Sequence, residues 1–255
     1  MRNRTADFFA RAFSIGILLA AAVCSAAQAM TVEPVIVDLK PNGDKMSATI
    51  SVQNTATTPL PVELTAQTLK FTEDGAAPDG PDPGDLVIFP PQALIQPGQT
   101  QAFRIQWVGD PELKESKSYY VTVAQLPVKL PKGQSAIQIL YNFQVLVNVA
   151  SSTGSPALSI AKTAITQDKK KGSIPIIWVQ NTGPSYGYLS RGTLRISQTD
   201  ASGKSVFDKQ LSPQEIQQTI GFGVIGPNTT RKISLPLTLP SAQGVVKVQF
   251  DAGNP

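Results

Sequence analysis

The chain has 255 residues, a formal charge of +4, 41% apolar and 16% charged residues, 19 glycines, 21 prolines, one cysteine and no histidine. Without histidine there is no His-based catalytic dyad or triad, no His-containing zinc site and no side chain whose unperturbed pKa lies near neutrality, which excludes most familiar enzyme mechanisms. The apolar share promises a packed core, while abundant glycine and proline with few charges favour many short strands and turns over long helices.

Residues 1–29 read as a cleavable export signal. Arg2, Arg4 and Arg11 form a basic start opposed only by Asp7, Ile15 to Val23 is an apolar stretch too short to span a bilayer comfortably, and Ala27-Gln28-Ala29 supplies a small-x-small cleavage pattern. The expected mature chain starts at Met30. A lipoprotein would use Cys24, but Val23 stands where such sites want a small residue. Cleavage removes the cysteine with three arginines and one aspartate, lowering the charge to +2, which leaves no footprint of nucleic-acid or membrane-surface binding. A mature chain without a disulfide depends on core burial for its stability.

Period-two apolar runs separated by turn residues then follow at the spacing of a β-sandwich. Val32 to Leu39 is extended and closes in Pro41-Asn42-Gly43-Asp44. Met46, Ala48, Ile50 and Val52 alternate with polar residues, giving one buried and one wet face, and Val62, Leu64 and Ala66 continue the pattern towards Phe71. Thr72 to Asp85 is rich in Pro, Gly and Asp and is read as an irregular, solvated loop. Leu86 to Phe89, Pro90-Pro91, Leu94-Ile95, the turn Gln96-Pro97-Gly98-Gln99, the alternating Phe103, Ile105 and Trp107, and the strand Tyr119 to Leu126 complete the series.

The last run of this half is the most informative. Ile137, Ile139, Tyr141, Phe143, Val145, Val147 and Val149 occupy every odd position, so residues 136–149 predict a strand whose apolar stretch alone spans about 43 Å at ~3.3 Å per residue. Ordinary strands run about 5–6 residues, so part of this apolar face is expected to serve something beyond its own sandwich. Ser151-Ser152-Thr153-Gly154-Ser155-Pro156 is a small polar linker, placing one domain at 30–150 and a second at 151–255. The second half carries further strand patterns from Ala157 to Phe250, and only Pro213 to Thr219 has a helical look.

These motifs support a resemblance. Pro34-Val35-Ile36-Val37-Asp38-Leu39, Val52-Gln53-Asn54, Phe89-Pro90-Pro91, Gln96-Pro97-Gly98-Gln99 with Phe103-Arg104-Ile105, and Tyr119-Tyr120-Val121 leading to Gln125-Leu126-Pro127 resemble the PapD-like periplasmic chaperones of chaperone–usher pili. Within them the chain is similar to the archaic, spore-coat-protein-U-type branch. The motifs cover residues 31–150, and the likeness of residues 155–255 is architectural.

The resemblance implies an all-β fold of two immunoglobulin-like sandwiches set at an angle around a cleft, in the periplasm. It implies capture of pilin or spore-coat-type subunits, which resemble a sandwich lacking one strand, and their delivery to an outer-membrane usher. The chaperone lends its long strand to the subunit's open edges, and Ile137, Ile139, Tyr141, Phe143 and Val145 are the residues this assigns to subunit binding. No cofactor, metal, nucleic acid or membrane insertion is implied. In the better-known branch an Arg and a Lys in the cleft hold the subunit's terminal carboxylate, a charge-assisted anchor. The matching positions here hold Asp38 and Gln144, and Lys40 and Arg104 are the cations that the resemblance leaves as substitutes.

Two other readings compete. One is a secreted structural or adhesive module, a pilus component or carbohydrate binder, with Tyr186 and Tyr188 of a Gly-rich loop as exposed aromatic contacts, while Trp107 and Trp178 are read as core. The other is a hydrolase built on Gly183-Pro184-Ser185-Tyr186-Gly187, a G-x-S-x-G match that lacks the strand-turn-helix context and the histidine base. The acidic residues Glu73, Asp74, Asp79, Asp82 and Asp85 do not keep a calcium-loop register, and Lys169-Lys170-Lys171-Gly172 reads as a charged turn. A glycine-rich phosphate loop with its following lysine is absent from the sequence, so capture and release are expected to run without nucleotide.

Overall fold

The computed structural model describes residues 30–128 and 139–253. The export signal, with Cys24, and Ile137 at the head of the expected donor strand lie outside the described residues.

Residues 30–128 and 139–149 build the first sandwich. β1 (Met30–Glu33) and β2 (Ile36–Leu39) are one extended run broken at Pro34, whose peptide with Glu33 is cis. After them come β3 (Ser47–Asn54), β4 (Leu60–Thr72), β5 (Gly75–Pro81), β6 (Leu86–Phe89), β7 (Gln92–Ile95), β8 (Thr100–Trp107), β9 (Lys117–Gln125) and β10 (Asn142–Val149). One sheet has the order β1-β3-β8-β6; the other runs β2-β10-β9-β4-β5, with β7 also on β4. The break at Pro34 thus sends the two halves of one run into opposite sheets. Period-two alternation aims one face of each strand inward, where Ile50, Phe103, Ile105, Trp107, Tyr119 and Val147 are fully buried.

Two expectations change here. The segment from Thr72 to Asp85 contains a strand: β5 pairs antiparallel with β4, and a Lys70–Asp79 ion pair of 3.0 Å spans the hairpin. Pro78 and Pro81 are compatible with pairing because β5 is the outermost strand and needs donors on one side only. Among the described residues the long run is strand over the eight residues of β10. Its neighbours limit it: β9 ends at Gln125 before Pro127, and β2 reaches back only to Ile36, opposite Leu146. Ile139, Leu140 and Tyr141 join no ladder with the described residues; the Gln125 amide bonds to the Tyr141 carbonyl at 3.0 Å, and the Gln125 side chain accepts the Tyr141 amide at 3.3 Å.

The second sandwich contains β11 (Leu158–Asp168), β12 (Gly172–Asn181), β13 (Gly187–Tyr188), β14 (Gly192–Thr199), β15 (Ser205–Leu211), α1 (Pro213–Ile220), β16 (Val224–Ile225), β17 (Thr229–Ser234) and β18 (Val245–Ala252). Its sheets run β11-β12-β17, β13-β16 and β15-β14-β18 around a separate apolar core containing Ile177, Leu189, Leu194, Ile196 and Ile216. α1 begins with a capping box: the Ser212 hydroxyl accepts the Glu215 amide, and the Glu215 carboxylate accepts the Ser212 amide. Lys169 to Lys171 form a turn in which Asp168 accepts the amides of Lys170 and Lys171, each at 2.8 Å. Trp107 is core, but Trp178 is half-buried on the outer face of β12. Among the described residues no helix is long and apolar enough to cross a membrane, and no His, Cys, Asp and Glu group has a metal-holding arrangement.

Candidate functional site

β10 has one side of its ladder incomplete. On the β9 side every residue from Asn142 to Val149 is paired, whereas β2 covers only Leu146 to Val149. Among the described residues nothing pairs with the β2 side of Asn142 to Val145, which stands as an open sheet edge, a template for another strand. Apolar side chains gather there: Ile139 is 68% exposed, Leu140 44%, Phe143 37% and Val35 56%. Tyr141 is half-buried against the first core. Val145 is a correction, because at 1% exposure its side chain lies inside the protein's own sandwich, out of reach of a bound chain. The odd-numbered face thus divides at residue 145, with the outer part open and the inner part committed to the core.

Asp38 occupies the other expected part of the site, where it accepts hydrogen bonds from the second domain. Its Oδ1 accepts the Tyr188 hydroxyl at 2.6 Å and the Tyr186 hydroxyl at 2.9 Å, with the Asn148 amide at 3.4 Å, and its Oδ2 accepts the Arg191 guanidinium at 2.8 Å. Asn148, on β10, also donates to the Tyr188 hydroxyl at 2.7 Å and accepts the Ser118 hydroxyl at 2.6 Å. Burial, reinforced by the Asp38 carboxylate, pushes both tyrosine hydroxyls far above their ordinary range, so they remain protonated donors. The Arg191 guanidinium lies 4.7 Å from the centre of the Tyr188 ring, and a cleft of about 170 Å³ opens beside it between Ile36, Ser190, Gln217 and Phe222. The seam continues where the Ser116 amide donates to the Pro184 carbonyl at 2.9 Å and the Tyr186 amide donates to the Ser116 hydroxyl at 2.7 Å.

Several sequence readings move accordingly. Tyr186 and Tyr188 are not exposed contacts; they are 7% and 4% exposed and form the domain seam. Arg104 lies on β8 of the other sheet and donates to Ser47 at 3.0 Å, while Lys40, just past the end of β2, is exposed and its amide bonds to the Lys45 carbonyl. Gln144 is exposed on β10 opposite Thr122. Arg191 and Asn148 were missed. Only the i, i+2 spacing of Tyr186 and Tyr188 hinted that this loop presents one face to a partner surface.

Ser185 is 4% exposed, and its hydroxyl accepts the Ser151 amide at 3.3 Å. The two-residue strand β13 and a 3-10 turn follow it, so it is not on a strand-to-helix elbow. Ser185→Ala is expected to leave hydrolysis of p-nitrophenyl acetate unchanged from wild type; a serine-dependent rate would revive the hydrolase reading.

Residues 29–148 match the model for the PapD N-terminal domain, described as a pili and flagellar-assembly chaperone. No curated protein matches the chain. Among solved structures it is similar in fold to a chain from a chaperone–tip adhesin complex of CFA/I fimbriae biogenesis (17% identity, 89% of this chain and 100% of the other, TM-score 0.50). It is similar also to one from the CsuC–CsuE chaperone–tip adhesion subunit complex of archaic Csu pili of Acinetobacter baumannii (12%, 81% and 90%, 0.46). A third is from the Salmonella enterica SafA pilin bound to the SafB chaperone (16%, 88% and 91%, 0.47). The two-sheet N-terminal sandwich with its open apolar edge at β10 coincides with the match over residues 29–148, which identifies this part of the chain as a PapD N-terminal domain, the domain of pili and flagellar-assembly chaperones.

Proposed function

We propose that the protein works in the periplasm, after loss of residues 1–29, by lending the open edge of β10 to pilin or spore-coat-type subunits and passing them to an outer-membrane usher. The observation that carries this reading is the coincidence of a backbone edge from Asn142 to Val145 that no described residue pairs with and exposed Ile139 and Phe143 beside it. A subunit lacking one strand presents an apolar groove between two unpaired edges. The β10 backbone pairs with an edge while Ile139, Phe143 and the reachable part of Tyr141 enter the groove. Each large apolar side chain buried in this way contributes roughly 1.5–3 kcal/mol. Release follows when a segment from another subunit fills the groove more stably, with no nucleotide in the cycle.

Co-purification from periplasm tests the reading. A small β-rich subunit recovered in stoichiometric amount, and lost on Ile139→Asp, supports it. A chain that always purifies alone or polymerises with itself returns the assignment to a structural module. That alternative has lost its proposed contact residues, since Tyr186 and Tyr188 are buried in the seam.

A further inference from the structure

The β4–β5 hairpin holds the proline-rich acidic segment, to which strand donation gives no role, and its turn reaches the second sandwich. The Glu73 carbonyl accepts the Lys232 amide at 2.7 Å, covering part of the outer edge of β17, and the Glu73 carboxylate accepts the Trp178 indole N–H at 2.8 Å. Nearby, the Phe71 ring packs so tightly on Gly226 that any β-carbon at that position would overlap it. Gly75, at φ +127°, brings the hairpin backbone against Arg231: an added β-carbon would stand 3.4 Å from the guanidinium. The Trp178 ring has the Lys162 and Lys232 ammonium groups 4.7 and 5.6 Å from its centre.

The location of these contacts gives them meaning. In the sheet β2-β10-β9-β4-β5, Asp38 on β2, Asn148 on β10 and Ser116 just before β9 join the second domain on one side, and Glu73 in the β4–β5 turn joins it at the opposite edge. Contacts gathered towards one side of a sheet resist rotation about their own line weakly, and a further attachment at the far edge resists it with the longest lever arm. We propose that the β4–β5 hairpin is a latch that fixes the second domain's orientation relative to β10, with Glu73 and Trp178 as its positioning residues. Resting on the strand-donation reading, this makes the chaperone a receptor already set before a subunit arrives, so that binding does not have to order the two domains.

The test uses the mature chain with Glu73→Ala, Glu73→Gln, Trp178→Phe and Gly226→Val, the last as a wedge against Phe71. Melting temperature is expected to stay within about 4 °C of wild type for the Glu73 and Trp178 variants. Small-angle scattering of Glu73→Ala and Trp178→Phe should show a broader spread of interdomain distances. The amount of subunit co-purified with them should fall about fivefold, the scale of one hydrogen bond. Gly226→Val should lose at least as much, and Glu73→Gln, which keeps an acceptor, should restore both readouts. Unchanged scattering in Glu73→Ala overturns the latch, and broadened scattering with wild-type subunit yield overturns its positioning role while leaving the chaperone reading intact. If wild type carries no subunit, the chaperone reading fails, and scattering still decides whether the hairpin holds the domains.

Discussion

The double substitution Ile139→Asp and Phe143→Asp is expected to leave the protein folded and to abolish subunit capture, whereas Val145→Asp alone unfolds the N-terminal sandwich. All three residues share the odd-numbered side of one run, so the contrast isolates where that face changes owner. Ile139 and Phe143 are 68% and 37% exposed in the free protein, and a carboxylate there remains hydrated. In a subunit groove the same carboxylates would be stripped of water, and two apolar contributions would be lost, together roughly 3–6 kcal/mol or two to four decades in affinity. Val145 is 1% exposed against the first core, where an unpaired carboxylate costs several kcal/mol, a large fraction of a marginal stability. Urea denaturation with periplasmic co-purification checks both halves. Retained capture by the folded double variant, or normal folding of Val145→Asp, would mean that the division at residue 145 is wrong.

Asp38→Ala is expected to loosen the domain seam by about 2–4 kcal/mol and to split denaturation into two transitions. The substitution takes the acceptor from two buried tyrosine hydroxyls and the Asn148 amide at once, while Ser116 and Asn148 hold the surrounding groups in place. Arg191 contributes less, because its side chain is 67% exposed and water replaces its ion pair cheaply. Asp38→Asn keeps one acceptor oxygen and should fall between wild type and alanine. The phenols titrate far above neutrality, so the loss should be the same from pH 6 to pH 8, both being protonated donors throughout. Tyr186→Phe with Tyr188→Phe should reproduce most of the alanine effect, and adding Asp38→Ala to that pair should cost little more. Full additivity would show that the three residues do not act together.

How legible this was depends on the range of the interactions involved. The alternation of β3, β8 and β9 was readable because a strand's side chains point alternately to either face whatever its partner, and Ile50, Phe103, Trp107 and Val121 are all inside. The β4–β5 hairpin was not, because Pro78 and Pro81 argue against a strand unless it is known to be the outermost one. Trp178 was read as core from its strand pattern, yet β12 turns that position outward towards Glu73, over a hundred residues away in sequence. The anchor candidate Arg104 was chosen by charge, and charge carries no information about which sheet a residue joins.

The sequence by itself therefore determined an all-β chain, the order of its strands, the absence of histidine chemistry and the one run with more apolar surface than its own sandwich needs. Those properties follow from local backbone preference and from composition, which act within a few residues. Tertiary structure decided where that run stops being core, at Val145, and which residues join the domains, since both depend on neighbours brought together from distant parts of the chain. The open edge at β10 exists because β2 begins at Ile36 and not earlier. The seam exists because Asp38 meets Tyr186, Tyr188 and Arg191 about 150 residues further on, a meeting that no local pattern encodes.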